Sequence, residues 1–286
     1  MIFQIQTLIF KSFLGRLIST ITFYITKLYI PSFLRLSIFN FLCRQLSINI
    51  IEAEKNINEF NSIDHLFTRS LKSELRPIDH SEYTLTSPVD GMVLEFGKIT
   101  DDTLLQAKNI NYSLSDLITN NYINLFEGSQ YLTIYLSPSD CHRIFSPVNG
   151  SILSTYHISG KLIPVREPFI SNFKDLYCVN DRVISIIRTQ HGHVGLINVG
   201  ALNVGSISIQ HNPSHSEQSY IMKNNETINY NHAVPLQKGD WHSTFHLGST
   251  VILILPKTLS FNTHIKKHIH LNYGQNIGTF KNTTND

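Results

Sequence analysis

The stretch FHLGSTVILILP, residues 245–256, places a Gly-Ser pair directly before a run of branched apolar residues. The run predicts a buried β-strand. A Gly-Ser pair is typical of a turn, because glycine adopts backbone angles that other residues avoid. The alternative is that the peptide bond between Gly248 and Ser249 is itself the site of chemistry. The pair alone does not decide between these two interpretations.

Two further groups place chemically capable side chains next to predicted strands. SPVDG, residues 87–91, holds Asp90 in a turn that leads into a strand, and YLSPSDCHRIFSP, residues 135–147, presents His142 and Arg143 between two prolines. An imidazole transfers protons near neutral pH, and a guanidinium binds phosphate or carboxylate. The alternatives are a turn aspartate bonded to its own backbone, and a loop histidine beside a surface Arg–Asp pair.

Other kinds of site have weaker support. The fourteen histidines suggest a metal site, but their spacing matches neither cysteine-containing zinc sets nor HExxH, so no metal is expected. A serine hydrolase built from Ser249, His142 and Asp90 would need a GxSxG nucleophile elbow, which the sequence lacks. INVGALNVGSI, residues 197–207, lacks GxGxxG spacing and a following helix, which argues against a dinucleotide site.

The first fifty residues differ from the rest of the chain. They are rich in Ile, Leu and Phe, carry Lys and Arg, and contain no Asp or Glu before Glu52. Because cations interrupt the apolar runs before about 20 residues, a membrane span is not expected. The pattern predicts amphipathic helices on an anionic bilayer, separated at Pro31. The alternative is an amphipathic pair packed on the protein's own core.

The remaining chain predicts a mainly antiparallel β domain. Residues 52–75 have a polar helical pattern that ends before Pro77, and from about residue 84 short apolar runs alternate with turns. The expected fold is therefore α+β, with a membrane-surface segment at 1–50 and a catalytic domain at 51–286. With 15% charged residues the composition is not that of a nucleic-acid binder, and three cysteines without a CxxC pair indicate a reducing compartment.

The ordered set of motifs resembles the bacterial-type phosphatidylserine decarboxylase proenzymes. The resemblance runs from about residue 60 to the end of the chain. It is carried by these motifs in the family's order: LFTRSLKSELRPI, SPVDG, YLSPSDCHRIFSP, LIPV, NDRVI, VGALNVGSI, QKGD and FHLGSTVILILP. Each motif alone is weak, and their ordered combination is specific.

The resemblance implies a zymogen that cuts itself between Gly248 and Ser249. The products would be a β chain, residues 1–248, and an α chain, residues 249–286, that begins with a pyruvoyl group made from Ser249. That group would replace pyridoxal phosphate and form a Schiff base with the amine of phosphatidylserine, giving phosphatidylethanolamine after loss of carbon dioxide. It further implies an enzyme of phospholipid biosynthesis that forms a homodimer of αβ units. The basic, apolar N-terminal segment predicts that this enzyme is peripheral, on the cytoplasmic face of the cell membrane.

One position departs from the family pattern. The family usually reads HRxH, and its second histidine acts in self-cleavage with the PVDG aspartate and the LGST serine. Here Phe145 occupies that position, and a phenyl ring cannot accept a proton. The expected base is therefore His142, with Asp90 orienting the proton transfer. Two alternatives remain open: an uncleaved pseudoenzyme that binds lipid, and a pyruvoyl decarboxylase of a soluble amino acid.

Overall fold

The computed structural model describes residues 13–107, 110–118, 122–202, 206–211, 220–246 and 249–281. Short helices and a set of antiparallel strands make up these residues, as expected for the α+β class. The α-helices are α1 (Phe13–Lys27), α2 (Ser32–Leu46), α3 (Ile63–Phe67), α4 (Leu114–Ile118) and α5 (Leu176–Val179). The strands are β1 (Thr84–Thr86), β2 (Gly91–Lys98), β3 (Thr103–Ala107), β4 (Ile110–Ser113), β5 (Gln130–Leu136), β6 (Arg143–Phe145), β7 (Gly150–Ile158), β8 (Arg182–Thr189), β9 (Gly192–Val199), β10 (Ile207–Ile209), β11 (Tyr220–Ile221), β12 (Thr227–Leu236), β13 (Trp241–Phe245), β14 (Ser249–Leu255), β15 (Leu259–Phe261), β16 (His270–Leu271) and β17 (Asn276–Phe280).

An eight-stranded sheet contains most of the core. Its strand order is β12-β7-β8-β9-β14-β5-β2-β16, and its neighbouring strands run antiparallel. β14 lies between β5 and β9, and all seven of its residues are buried. Burial on both faces explains why the strand reads as a continuous apolar run instead of an alternating pattern. The predicted strand after the Gly-Ser pair is confirmed.

A four-stranded sheet, β11-β10-β13-β6, contains the strand that follows His142 and the strand that precedes Ser249. β6 follows His142, and three residues separate the end of β13 at Phe245 from the start of β14 at Ser249. The backbone N–H of Phe245 donates to the carbonyl of His142 at 3.0 Å. The second sheet therefore joins the loop that carries His142 to the segment that leads into Ser249.

The two N-terminal helices expose apolar side chains. In α1 the buried positions include the polar residues Ser19 and Thr26, while an apolar stripe at helical spacing is exposed. The stripe consists of Leu17, Ile21, Tyr24 and Ile25, and Leu28 directly after the helix extends it. In α2, Phe39 and Cys43 are buried, but Phe33 and Phe41 are 79% and 61% exposed. The helices thus pack on the protein with one face and leave a broad apolar face uncovered.

Pro31 lies between these helices as predicted, at the N-cap of α2. Within the described ranges, no helix is long and apolar enough to cross a membrane. A small core cluster links α2 to the segment that follows, and the rings of Phe39 and Phe60 meet edge to face with centroids 6.3 Å apart.

The prediction of a helix over residues 52–75 is wrong. The structure has only short helical turns there: 3-10 turns at Ile50–Glu52, Ile57–Glu59 and Ser73–Leu75, and the five-residue helix α3. Two N-cap residues each begin a new short helix, so that no single long helix forms. Asn56 forms a capping box with Glu59, and the Ser62 hydroxyl accepts from the backbone N–H of His65 at 3.1 Å. The apolar run 193–210 is likewise divided, since β9 ends at Val199 and β10 belongs to the second sheet.

Candidate active site

Ser249 is the first residue of β14. Its Cα lies opposite Leu136 of β5, and its side chain is fully buried. Among the described residues its Oγ has no hydrogen-bond partner. A buried hydroxyl without a partner costs on the order of 1–3 kcal/mol, so such an atom needs a functional or structural account. Gly248, the other half of the predicted cleavage site, lies outside the described residues.

His142 lies in the loop between β5 and β6 and is completely buried. Its Nδ1 is 2.9 Å from the carbonyl oxygen of Asp140. A carbonyl only accepts, so the neutral ring carries its proton on Nδ1 and its lone pair on Nε2. The Nε2 atom is also buried and has no hydrogen-bond partner within the part of the chain that the structure describes. His142 therefore has the tautomer of a base with its accepting nitrogen unused.

Burial keeps this imidazole uncharged. Desolvation, assisted by the positive charge of Arg69, lowers the pKa of His142 from 6.5 to about 4. The ring of Phe67, at the end of α3, packs edge to face on His142 with centroids 5.4 Å apart. His142 is consequently neutral throughout the physiological pH range.

Asp90 lies directly before β2 and is 2% exposed. Its carboxylate accepts from the Arg76 guanidinium, with Nη2 2.8 Å and Nε 3.0 Å from the two carboxylate oxygens. The backbone N–H of Tyr273 donates to the same carboxylate at 2.8 Å. Burial by itself would lower the pKa of Arg76. The hydrogen bonds and negative charges of Asp90 and Glu52 outweigh that effect, so the pKa of Arg76 is raised. Within the described residues, Asp90 forms no hydrogen bond to His142 or Ser249, so its orienting role remains a prediction.

Phe145 packs on Tyr273, the residue whose backbone N–H binds the Asp90 carboxylate. Its ring stacks on Tyr273 with centroids 4.1 Å apart, and its backbone N–H donates to the carbonyl of Pro88 at 2.8 Å. Tyr273 therefore contacts both residues: its ring stacks on Phe145, and its backbone binds Asp90. Phe145 is the position that carries a histidine in the family pattern. Here an aromatic stack occupies the position expected for the base.

Arg143 is held by structural contacts. Its Nε donates to the carbonyl of Thr68 at 2.9 Å, and its guanidinium lies 3.9 Å from the ring centroid of Trp241. Cation–π stacking and a backbone hydrogen bond fix this side chain between β13 and the end of α3. Its role in substrate binding stays a prediction.

Sequence reasoning missed a contact between α3 and the segment before the Gly-Ser pair. The Asp64 carboxylate is 2.7 Å from Nδ1 of His246, and both side chains are largely buried. Nε2 of His246 lies 3.2 Å from the Ser208 hydroxyl, and Phe23 of α1 packs against the ring. The only signal in the sequence was a histidine two residues before Gly248, and nothing local connects it to an aspartate 182 residues away.

The histidines that lie close together in the sequence, and so come first as possible metal ligands, are His191 with His193 and His264 with His268 and His270. His191 lies in the turn between β8 and β9 and His193 is the second residue of β9, so both are at the tip of this hairpin. His270 pairs with Asp140, with 2.8 Å between Nε2 and Oδ1. The described ranges contain no group of three or more His, Cys, Asp or Glu side chains that could hold a metal ion.

Comparison with known proteins identifies the family. The sequence model of the phosphatidylserine decarboxylase family matches residues 63–279. The chain is 31% identical to the phosphatidylserine decarboxylase proenzyme of Myxococcus xanthus over 265 residues, which cover 91% of this chain and 93% of the relative. It is 35% identical to the proenzyme of the same name from Brevibacillus brevis, over 89% of this chain and 91% of the relative. The chain belongs to the phosphatidylserine decarboxylase family.

Proposed function

We propose that the protein decarboxylates phosphatidylserine to phosphatidylethanolamine through a Schiff base with a pyruvoyl group made from Ser249. The observation that carries the proposal is the buried Ser249 hydroxyl, which has no partner among the described residues at the start of a central strand. When formed, the pyruvoyl group supplies a carbonyl that condenses with the substrate amine and accepts the electrons of the breaking bond. No metal and no pyridoxal phosphate enter this proposal.

Ser249 is suited to making such a group. Its hydroxyl attacks the Gly248 carbonyl and converts the amide to an ester, and β-elimination then leaves a carboxylate on Gly248 and dehydroalanine at position 249. Addition of water and loss of ammonia complete the pyruvoyl group. The hydroxyl acts first as nucleophile and then as leaving group, and no hydrogen bond to another described residue has to break first.

His142 is the proposed base. Its Nε2 lone pair is available, and its proton on Nδ1 is held by the Asp140 carbonyl. A neutral, desolvated imidazole accepts a proton from a hydroxyl and returns it to a carbon or a leaving group without waiting for solvent. In decarboxylation the same atom would deliver the proton that replaces the lost carboxylate.

The proposed substrate lies in a bilayer. The exposed apolar stripe of α1 and the exposed aromatic residues of α2 support binding to an anionic membrane surface, as a peripheral protein on its cytoplasmic face. Lys27, Arg35 and Arg44 supply positive charge on the same two helices. The α and β chains of one precursor would stay associated, because β14 is central in its sheet, and the family resemblance implies a dimer of these units.

A second candidate function is that of an uncleaved lipid-binding protein, and the observation that favours it is Phe145 in its stack on Tyr273. The two candidates differ in a Ser249→Ala variant. The decarboxylase predicts that wild type divides into two chains and releases carbon dioxide from phosphatidylserine, whereas the variant stays whole and inactive. Carbon dioxide release by the variant equal to that of wild type would exclude the pyruvoyl mechanism.

Membrane binding is tested separately by sedimentation with anionic vesicles. Replacing Ile21 and Ile25 by Asp puts two charges on the exposed stripe of α1 and is expected to abolish sedimentation with vesicles of phosphatidylserine and phosphatidylcholine. A matched control, Lys174→Gln with Lys257→Gln, lowers the net charge by the same two units at positions outside α1 and α2 and is expected to sediment like wild type. Equal sedimentation of the stripe variant and wild type would contradict the interfacial assignment.

A further inference from the structure

A cavity is lined both by the N-terminal helices and by β5, the strand that pairs with β14. Its volume is about 420 Å³, and its lining includes Thr22 of α1, Leu46 of α2, Tyr135 of β5, Pro138, Arg166 and Leu202. Tyr135 is the β5 partner of Thr250, the residue after Ser249. The cavity therefore extends from the apolar helices to the strand pair that begins at Ser249.

Among the described residues that line the cavity, Arg166 carries the positive charge. Its side chain is exposed, and among the described residues it forms no side-chain hydrogen bond, ion pair or aromatic stack. Its backbone is fixed, because its carbonyl accepts from the N–H of Phe169 at 2.8 Å. Other arginines near the site are already used: Arg76 binds Asp90, and Arg143 lies on Trp241. Arg166 thus presents an unused guanidinium at a mainly apolar cavity.

The charge of Arg166 acts on the cavity wall. Burial raises the pKa of the Tyr135 hydroxyl, and the nearby Arg166 guanidinium opposes that rise. The cation and the strand next to Ser249 are therefore within electrostatic range of each other across this cavity.

We propose that Arg166 binds the phosphodiester of a glycerophospholipid whose headgroup reaches Ser249. This rests on the proposed function and adds the residue that anchors the substrate. A guanidinium matches a phosphate with two parallel hydrogen bonds. The glycerol and acyl chains lie along the apolar wall toward α1 and α2, whose outer face is itself apolar.

The substrate carboxylate is the other anion that a guanidinium could hold. That pairing would oppose the reaction, because the carboxylate leaves as neutral carbon dioxide and a cation stabilises only its charged ground state. The phosphodiester keeps its charge throughout the reaction. Binding there lowers the energy of substrate and transition state equally, so its loss raises KM and leaves kcat nearly unchanged.

The test compares Arg166→Gln and Arg166→Lys with wild type on dioctanoyl phosphatidylserine. Loss of a charged hydrogen-bonding group is expected to raise KM about 10-fold or more in Arg166→Gln, with kcat within about 2-fold. The KM of Arg166→Lys is expected to lie between those of wild type and Arg166→Gln. Arg188→Gln, an exposed arginine on β8, is the matched control and is expected to leave both constants unchanged. A fall in kcat with unchanged KM, or no change in either, overturns the proposal while the proposed function stands.

A binding measurement separates the two proposals. Ser249→Ala does not turn over the lipid, so isothermal titration with dioctanoyl phosphatidylserine measures affinity alone. Adding Arg166→Gln to this variant is expected to weaken binding about 10-fold, and unchanged affinity overturns the Arg166 assignment even if wild type proves inactive. Glycerophosphoserine should compete more strongly than inorganic phosphate, and equal competition would identify a free-phosphate site instead.

Discussion

The rings of Phe145 and Tyr273 stack with their centroids 4.1 Å apart and their planes inclined by 20°. Tyr273 donates its backbone N–H to Asp90 at 2.8 Å. Phe145 stands where the family pattern has a histidine, and its stacking partner Tyr273 links it to Asp90. If a base is useful at this position, restoring the imidazole should accelerate self-cleavage.

Phe145→His is expected to cleave at least about 10-fold faster than wild type, since a placed general base contributes about 10²–10⁴-fold. The measurement is the fraction of divided chain against time after cell-free synthesis. Phe145→Leu is the control, because it removes the stack, worth about 0.5–1.5 kcal/mol, without adding a base. Cleavage of Phe145→His no faster than that of Phe145→Leu would show that this position does not assist the reaction.

Arg76 is expected to be essential for stability because it neutralises Asp90. The two side chains are 9% and 3% exposed, so Arg76→Met leaves a buried carboxylate without its cation. The expected loss in free energy of unfolding is about 3–5 kcal/mol, measured by urea denaturation. The double variant Arg76→Met with Asp90→Asn removes both charges and should recover part of that loss. Equal stability of Arg76→Met and wild type would refute a stabilising role for the pair.

Stability is expected to fall as the pH is lowered from about 6.5 to about 4. Burial lowers the pKa of His142 to about 4 and that of His242 to about 3, whereas in the unfolded chain both titrate near 6.5. In that window the unfolded state binds protons that the folded state does not, so unfolding becomes more favourable with each step toward acid.

The variant His242→Gln removes one of these groups. Its loss of stability between pH 6.5 and pH 4 should be smaller than that of wild type by on the order of 3 kcal/mol. His264→Gln changes an exposed histidine and should keep the wild-type slope. Denaturant unfolding at several pH values gives both slopes. A slope in His242→Gln as steep as in wild type would contradict the assignment of a buried neutral imidazole.

Local patterns predicted much of the fold. The apolar run after Ser249 correctly predicted a buried strand, because β14 has a neighbouring strand on each edge and is buried on both faces. Pro31 correctly predicted a break between two helices, because proline fits the start of a helix but not its interior. The prediction of one helix over residues 52–75 was wrong, because it relied on polar periodicity alone. It did not consider that Asn56 and Ser62 are N-caps, each of which begins a separate short helix.

The contacts around the site were beyond sequence reasoning. Short motifs single out His142 and Ser249 as candidates and predict the buried strand after Ser249. The burial of His142 and the partners of Asp90 and His246 depend on how distant segments meet. Asp64 and His246 are 182 residues apart, and Tyr273 and Asp90 are 183 apart. No periodicity or turn signal encodes such pairs, because they form only when the sheets and helices pack.

The most direct test is the intact mass of the protein purified from its own cells. The proposed chemistry predicts two chains, residues 1–248 and 249–286, the second lighter by one ammonia than a chain that begins with serine. A single chain of 32.7 kDa that retains an unmodified Ser249 and still releases carbon dioxide from phosphatidylserine would contradict the account.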